Sequence, residues 1–95
     1  MRLSEIKMDD VVEFLRLEEG EYSESTMQAI MAATKSYILD YTGLSEEAAD
    51  EKVDLWLAYM VLCQDMNDNR SMYVEKGDVN KVVQSILDMH SINLL

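Results

Sequence analysis

An uninterrupted apolar stretch, LWLAYMVLC at residues 55–63, constrains the fold more than any other part of the chain. It is too short to span a bilayer, which takes about 20 apolar residues in a helix. The flanking segments AADEKVD and QDMND continue a helical pattern beyond the length of a buried strand. A helix that is apolar on every side needs neighbours on several faces. The stretch therefore predicts a central helix over about residues 48–68.

The rest of the chain favours the helices that would surround it. There is no proline, and the 95 residues include only three glycines, so helix-breaking residues are scarce. Apolar spacings of three and four predict further helices over about 8–17, 24–42 and 79–90. Ser23 as N-cap and Gly43 just past the end define the second of these. The sequence thus predicts an all-α fold: one domain, 1–95, forming a small bundle of about four helices with an irregular connector before the last helix and an apolar tail at 91–95.

The apolar stripes of these helices also predict which side chains form the core. Each candidate lies on the inward face of a predicted helix or within the all-apolar stretch. The candidate core residues are Met27, Ile30, Met31, Ile38, Trp56, Met60, Cys63, Val83, Ile86 and Leu87.

The charge of the chain limits its partners. Nineteen acidic and eight basic residues give a net charge of −11, of which residues 1–54 carry −9 (fourteen acidic, five basic). Such a surface repels phosphate, which disfavours nucleic-acid binding through a basic patch and disfavours an anionic membrane. Two interpretations remain: the acids provide solubility, or they keep a surface near DNA without adhesion. With no signal-peptide pattern and no long apolar run, an intracellular protein is expected.

The segment DMNDNR at 65–70 has the alternating oxygen-bearing residues that open a calcium-binding loop. That loop also needs glycine at its sixth position and glutamate at its twelfth, where this chain has Arg70 and Lys76. Both substitutions argue against a calcium site. The alternative is that the central helix ends near Asn67–Asn69, with Arg70 bonding terminal carbonyls or pairing with Asp65 or Asp68.

Neither reactive side chain predicts an enzyme. Cys63, the single cysteine, lies within the apolar run and is expected to be a buried structural thiol. His90, the single histidine, cannot complete a credible zinc set with it and is expected to be a structural or interface residue. A Cys63–His90 nucleophile pair would lack an activating group. No catalytic residues, metal site or cofactor are predicted.

Four segments in order resemble the small head–tail connector proteins (adaptor or head-completion proteins) of long-tailed bacteriophages and prophages. They are SEIKMDDVVEFLRL, AIMAATKSYILDYTGL, LAYMVLCQDMNDNR and VNKVVQSILDMHSINLL, and together they extend over nearly the whole chain. The resemblance implies a non-enzymatic virion component at the head–tail joint, assembled in the host bacterial cytoplasm. It implies a ring oligomer matching the twelvefold portal, in contact with the portal protein and a stopper or tail-completion protein, while DNA passes without specific binding and no membrane is involved.

Closing a ring requires one face of a protomer to meet a different face of the next copy. The connector, residues 65–77, and the SINLL tail are the predicted segments of contact with a neighbour or the portal, because both follow helical signals and mix apolar with hydrogen-bonding groups. The candidate interface residues are Asp65, Asn69, Arg70, Tyr73, Ile92, Leu94 and Leu95. The alternative is an acidic phage-encoded binding protein, a DNA mimic or an inhibitor of a host nucleic-acid protein, which would need carboxylates spaced like phosphates. A third class, a small helical enzyme, would need a site that the sequence does not show.

Overall fold

The computed structural model describes residues 1–68 and 81–91, with the side chains of the last helix described from Val83 onward. The described chain is all-α and contains no β-strand, which confirms the predicted fold class. A short 3₁₀ helix, Leu3–Glu5, precedes five α-helices. These are α1 (Met8–Leu15), α2 (Glu24–Thr42), α3 (Glu46–Asp50), α4 (Leu55–Asp68) and α5 (Lys81–His90). Residues 65–68 of the predicted connector belong to α4, while its residues 69–77, residues 79–80 of the predicted last helix and the tail residues 92–95 lie outside the described residues.

Helix α1 ends earlier than the range 8–17 that the sequence predicts. Arg16 adopts the left-handed conformation, with φ 56° and ψ 39°. Its amide donates to the Glu13 carbonyl, and the Leu17 amide donates to the Val12 carbonyl. These are the two hydrogen bonds of a Schellman motif, with arginine at the position where glycine is usual.

Helix α2 spans the predicted range, and both of its ends are set by local chemistry. The Thr26 amide donates to the Ser23 hydroxyl at 3.4 Å, which caps the start. Gly43, at φ 76°, donates to the Leu39 carbonyl at the other end. One face buries five side chains: Met27, Ile30, Thr34, Ile38 and Thr42.

The structure corrects the single helix predicted over 48–68, which is broken between Asp50 and Leu55. The Lys52 amide bonds the Ala49 carbonyl, and the Leu55 amide bonds the Lys52 carbonyl, as in tight 3₁₀-type turns. Ala49 and Leu55 are both fully buried. In one continuous helix their side chains would point roughly 120° apart, so the break allows both to enter the same core.

Helix α4 is central, as its all-apolar sequence indicates. It packs against α1, α2, α5 and the 3₁₀ helix, and buries Leu55, Ala58, Tyr59, Met60, Leu62 and Cys63. The Tyr59 hydroxyl donates to the Met31 carbonyl, so this polar group is satisfied where α4 meets α2.

The candidate core residues divide between the interior and its margin. Seven of them are buried: Met27, Ile30, Ile38, Met60, Cys63, Val83 and Leu87. Met31, Trp56 and Ile86 are half-buried and pack against the outside of the core. Their outer atoms therefore belong to the surface of the domain.

Candidate functional site

Most candidate interface residues lie outside the described residues. Asp65 is half-buried in the last part of α4. The other six, Asn69, Arg70, Tyr73, Ile92, Leu94 and Leu95, belong to segments that the structure does not describe. The sequence prediction of a contact role for them stays a prediction.

The part of DMNDNR that is described belongs to a helix. Asp65 and Asn67 both lie in α4, where residues two apart point roughly 160° away from each other. Their side chains therefore do not converge as calcium ligands in a loop would. Within residues 1–68 and 81–91, no group of three or more His, Cys, Asp or Glu side chains is placed to hold a metal ion.

Cys63 lies in a polar chain that joins α4 to α2 inside the core. Its thiol donates to the Thr34 hydroxyl oxygen at 3.5 Å, and the Thr34 hydroxyl donates to the sulfur of Met66 at 3.4 Å. Burial raises the pKa of the Cys63 thiol to about 11. A thiol with this pKa is protonated at neutral pH, and Cys63 is fully buried, as the sequence predicts.

His90 bonds a carboxylate at the start of the central helix. Its Nε2 lies 2.6 Å from Oδ1 of Asp54, in the turn that separates α3 from α4. The imidazole side chain is only 18% exposed. The two groups form an ion pair when the imidazole carries both protons. They form a hydrogen bond when the neutral ring carries its proton on Nε2.

The end of α5 is also bound to the end of α2. The Tyr41 hydroxyl donates to Asp88 at 2.6 Å, and the Ser91 hydroxyl donates to the Tyr41 carbonyl at 3.2 Å. The hydrogen bond to Asp88 raises the pKa of the Tyr41 hydroxyl. With the His90–Asp54 contact, these bonds hold the last turn of α5 on two sides.

Two exposed apolar side chains flank the His90–Asp54 contact along the chain. Val53 precedes Asp54 and is 71% exposed, and Met89 precedes His90 and is 73% exposed. We call Val53, Asp54, Met89 and His90 the His90 edge. Sequence patterns did not identify Val53, Asp54 or Met89, because the turn at 51–54 and the approach of α5 to it depend on tertiary structure.

Ser4 and Asp50 join the 3₁₀ helix to the last residue of α3. The Ser4 amide donates to Oδ1 of Asp50 at 2.9 Å, and its hydroxyl donates to Oδ2 at 2.6 Å. These bonds lower the pKa of the Asp50 carboxyl. Asp50 and Asp54 thus mark the two ends of the turn between α3 and α4, each bound by a distant part of the chain.

Within residues 1–68 and 81–91, no helix is both long and apolar enough to cross a membrane. Comparisons of the chain with protein-family models, with curated proteins and with solved structures gave no match.

Proposed function

We propose that this protein is a structural component of the head–tail joint of a long-tailed bacteriophage or prophage. In this role it forms a ring under the portal, extends the DNA channel and provides a platform for a stopper or the tail. The observation that carries the proposal is the ordered resemblance of four sequence segments to head–tail connector proteins. Those segments include α1, most of α2, most of α4 and α5, so they correspond to the framework of the domain.

The His90 edge supplies one face for such an assembly. Val53 and Met89 are large apolar side chains left mostly in water, and covering apolar surface contributes about 25 cal/mol for each Å² removed from water. The tail predicted to contact a neighbour or the portal, residues 91–95, begins with Ser91, whose hydroxyl donates to the Tyr41 carbonyl near the end of α2. Ser91 and the His90 edge thus lie at the same end of α5.

The charge of the chain suits a channel through which DNA passes. At a net charge of −11 the protein repels the phosphate backbone, so DNA can pass without being retained. The same charge also serves solubility, and it supports the proposal without carrying it.

The test is to mix the purified protein with portal rings made from the portal gene of the same phage or prophage genome. Negative-stain imaging and mass measurement should show a ring of this protein on one end of the portal. A soluble, folded protein that leaves the portal bare under these conditions contradicts the connector function. Capture of a host nucleic-acid enzyme in place of the portal would favour the acidic-inhibitor alternative.

Variants of the protein distinguish specific assembly from nonspecific association. The double variant Val53→Ser/Met89→Ser removes the exposed apolar side chains of the His90 edge and should weaken assembly. Ala32→Ser, at an exposed position of α2, is the matched surface control and should assemble normally. Truncation after Ser91 tests the tail. Normal portal attachment and ring formation by the truncated, folded protein would contradict a contact role for residues 92–95.

A further inference from the structure

An open groove of about 600 Å³ lies on the surface where α1 packs against α4. Asp10, Glu13 and Phe14 line it from α1, at spacings that place them on one face of that helix. Trp56 and Met60 line it from α4, one helical turn apart. None of these residues belongs to the His90 edge, so the groove is a second candidate contact surface.

The groove has an apolar floor made of side chains that commonly dominate binding energy at interfaces. Phe14 is 37% exposed, Trp56 is half-buried, and Met60 is buried. Aromatic side chains bury a large area when covered, and methionine adapts to the shape of an apolar partner. An apolar side chain entering the groove would therefore meet a ready contact surface.

The rim of the groove is acidic on the α1 side. One oxygen of Asp10 accepts a hydrogen bond from the Lys7 amide, while Glu13 makes no ion pair in the part of the chain that the structure describes. A carboxylate beside an apolar floor is complementary to a segment with lysine or arginine beside its apolar residues.

Arg16 lines the groove at the C-terminal end of α1, in a backbone conformation that is unfavourable for a residue with a Cβ. The left-handed region costs a residue with a Cβ about 1–2 kcal/mol, and its side chain also makes no ion pair among the described residues. Its guanidinium is available to bind the carbonyls or carboxylate at the C-terminal end of a docked helix. Arg16 would thereby set the direction in which a helix lies in the groove.

We propose that this groove binds an amphipathic helical segment of a partner protein, with apolar residues facing Phe14 and Trp56 and basic residues facing Asp10 and Glu13. The carboxylates of Asp10 and Glu13 select a basic segment as the occupant of this groove, and this chain, with nineteen acidic and eight basic residues, is a poor source of such a segment. The proposal goes beyond the connector function and does not rest on it, since the binding test uses no portal.

Trp56 makes the proposal directly measurable, because it is the only tryptophan in the chain and it lines the groove. The probe is a tryptophan-free peptide of leucine and lysine, about four helical turns long, with the two residue types on opposite faces. Its addition should shift Trp56 emission to shorter wavelength in a saturable manner. A peptide with serine in place of leucine has the same charge without the apolar face. Equal binding of that peptide would overturn the proposal, as would the absence of a saturable shift.

Variants of the protein test whether binding occurs in the groove. Glu13→Gln should weaken peptide binding about threefold to tenfold, whereas Asp40→Asn, which removes one exposed carboxylate from α2, should leave it unchanged. Equal weakening by both changes would show attraction to net charge alone and would contradict a groove site. If Trp56 emission shifts with protein concentration without peptide, and the mass doubles, the groove binds a second copy and the basic-partner proposal is wrong.

The orientation set by Arg16 has its own readout. The wild-type protein should bind a peptide with a free C-terminal carboxylate about threefold more tightly than the amidated peptide. Arg16→Ala should remove that preference while the Trp56 shift persists. An unchanged preference in the variant would exclude Arg16 from contact with the end of the docked helix.

Discussion

His90 Nε2 lies 2.6 Å from Oδ1 of Asp54, which fastens the last turn of α5 to the turn that precedes the central helix. The two residues are 36 positions apart in the chain. The contact therefore joins two segments that are distant in the chain. Its contribution to the free energy of unfolding determines how well the residues of the His90 edge are held in place.

Breaking this contact should destabilise the domain modestly. We expect Asp54→Asn and His90→Gln each to lower the free energy of unfolding by about 1 kcal/mol, because the pair is partly exposed and water replaces part of the lost interaction. Urea unfolding of both single variants and the double variant gives the coupling energy of the pair. Additive losses would show that the contact contributes nothing to stability.

Replacing Arg16 should stabilise the protein. Arg16→Gly removes the cost of a side chain in the left-handed conformation, and we expect the free energy of unfolding to rise by about 1 kcal/mol. Arg16→Ala keeps a Cβ at the same φ and serves as the control, with stability close to that of wild type. The midpoint of urea unfolding reports both. A destabilised glycine variant would mean that contacts of the arginine outweigh its backbone cost.

The Cys63 thiol should be unreactive in the folded protein. Its pKa is raised to about 11, so the thiolate that attacks an aromatic disulfide reagent is scarce at pH 8, and burial blocks access. The reaction should be at least tenfold slower than in urea-unfolded protein, where the pKa returns to its ordinary range. A rapid reaction under native conditions would contradict the burial of this thiol.

The same pKa shift predicts how stability changes in alkali. Because the folded-state pKa is raised, the stabilising contribution of the protonated thiol is complete below the ordinary thiol pKa of 9.0 and is lost as the pH rises towards 11. The stability advantage of wild type over Cys63→Ala should therefore narrow between these values. Thermal unfolding of both proteins from pH 7 to 11 checks this, and a constant difference would contradict it.

Local chemistry in the sequence predicts much of this fold, and long-range contacts explain what it misses. Ser23 and Gly43 set the ends of α2 through hydrogen bonds within a few residues, so the sequence identifies both ends. The break before Leu55 allows Ala49 and Leu55 to be buried in the same core. Asp50 and Asp54 lie at its two ends. Their partners lie 46 and 36 residues away, so no local pattern identifies the break. The early end of α1 was missed because arginine occupies a position where glycine is the usual signal.

The candidate sites also divide into those that local sequence predicts and those that depend on long-range contacts. The burial of Cys63 could be inferred from the apolar residues on either side of it. The groove could not, because Phe14 belongs to the apolar stripe of α1 and becomes a groove residue only through the way α1 packs on α4. Similarly, the exposed Met89 gains a candidate role only because the next residue, His90, bonds Asp54 across the fold.

Acid should remove the contribution of the Ser4–Asp50 hydrogen bonds to the stability of the folded protein. Two hydrogen bonds from Ser4 favour the ionised carboxylate and lower the pKa of Asp50 below its ordinary value of 3.8. A lowered folded-state pKa gives stability that is complete well above the ordinary pKa and is lost as the pH falls through the folded-state value. Ser4→Ala, which removes the hydroxyl bond, should therefore melt at a lower temperature than wild type at pH 7.

The difference in melting temperature between Ser4→Ala and wild type should shrink as the pH falls below 3.8, where protonation of Asp50 weakens the same contact in wild type. Ser36→Ala, at an exposed position of α2, is the matched control and should show no such convergence, since the serine hydroxyl there bonds no carboxylate in the described structure. Thermal unfolding followed by circular dichroism from pH 7 to pH 2 measures both series. If the Ser4→Ala difference is the same at every pH, the hydroxyl acts through packing alone, and its bond to the Asp50 carboxylate does not stabilise the attachment of the 3₁₀ helix to α3.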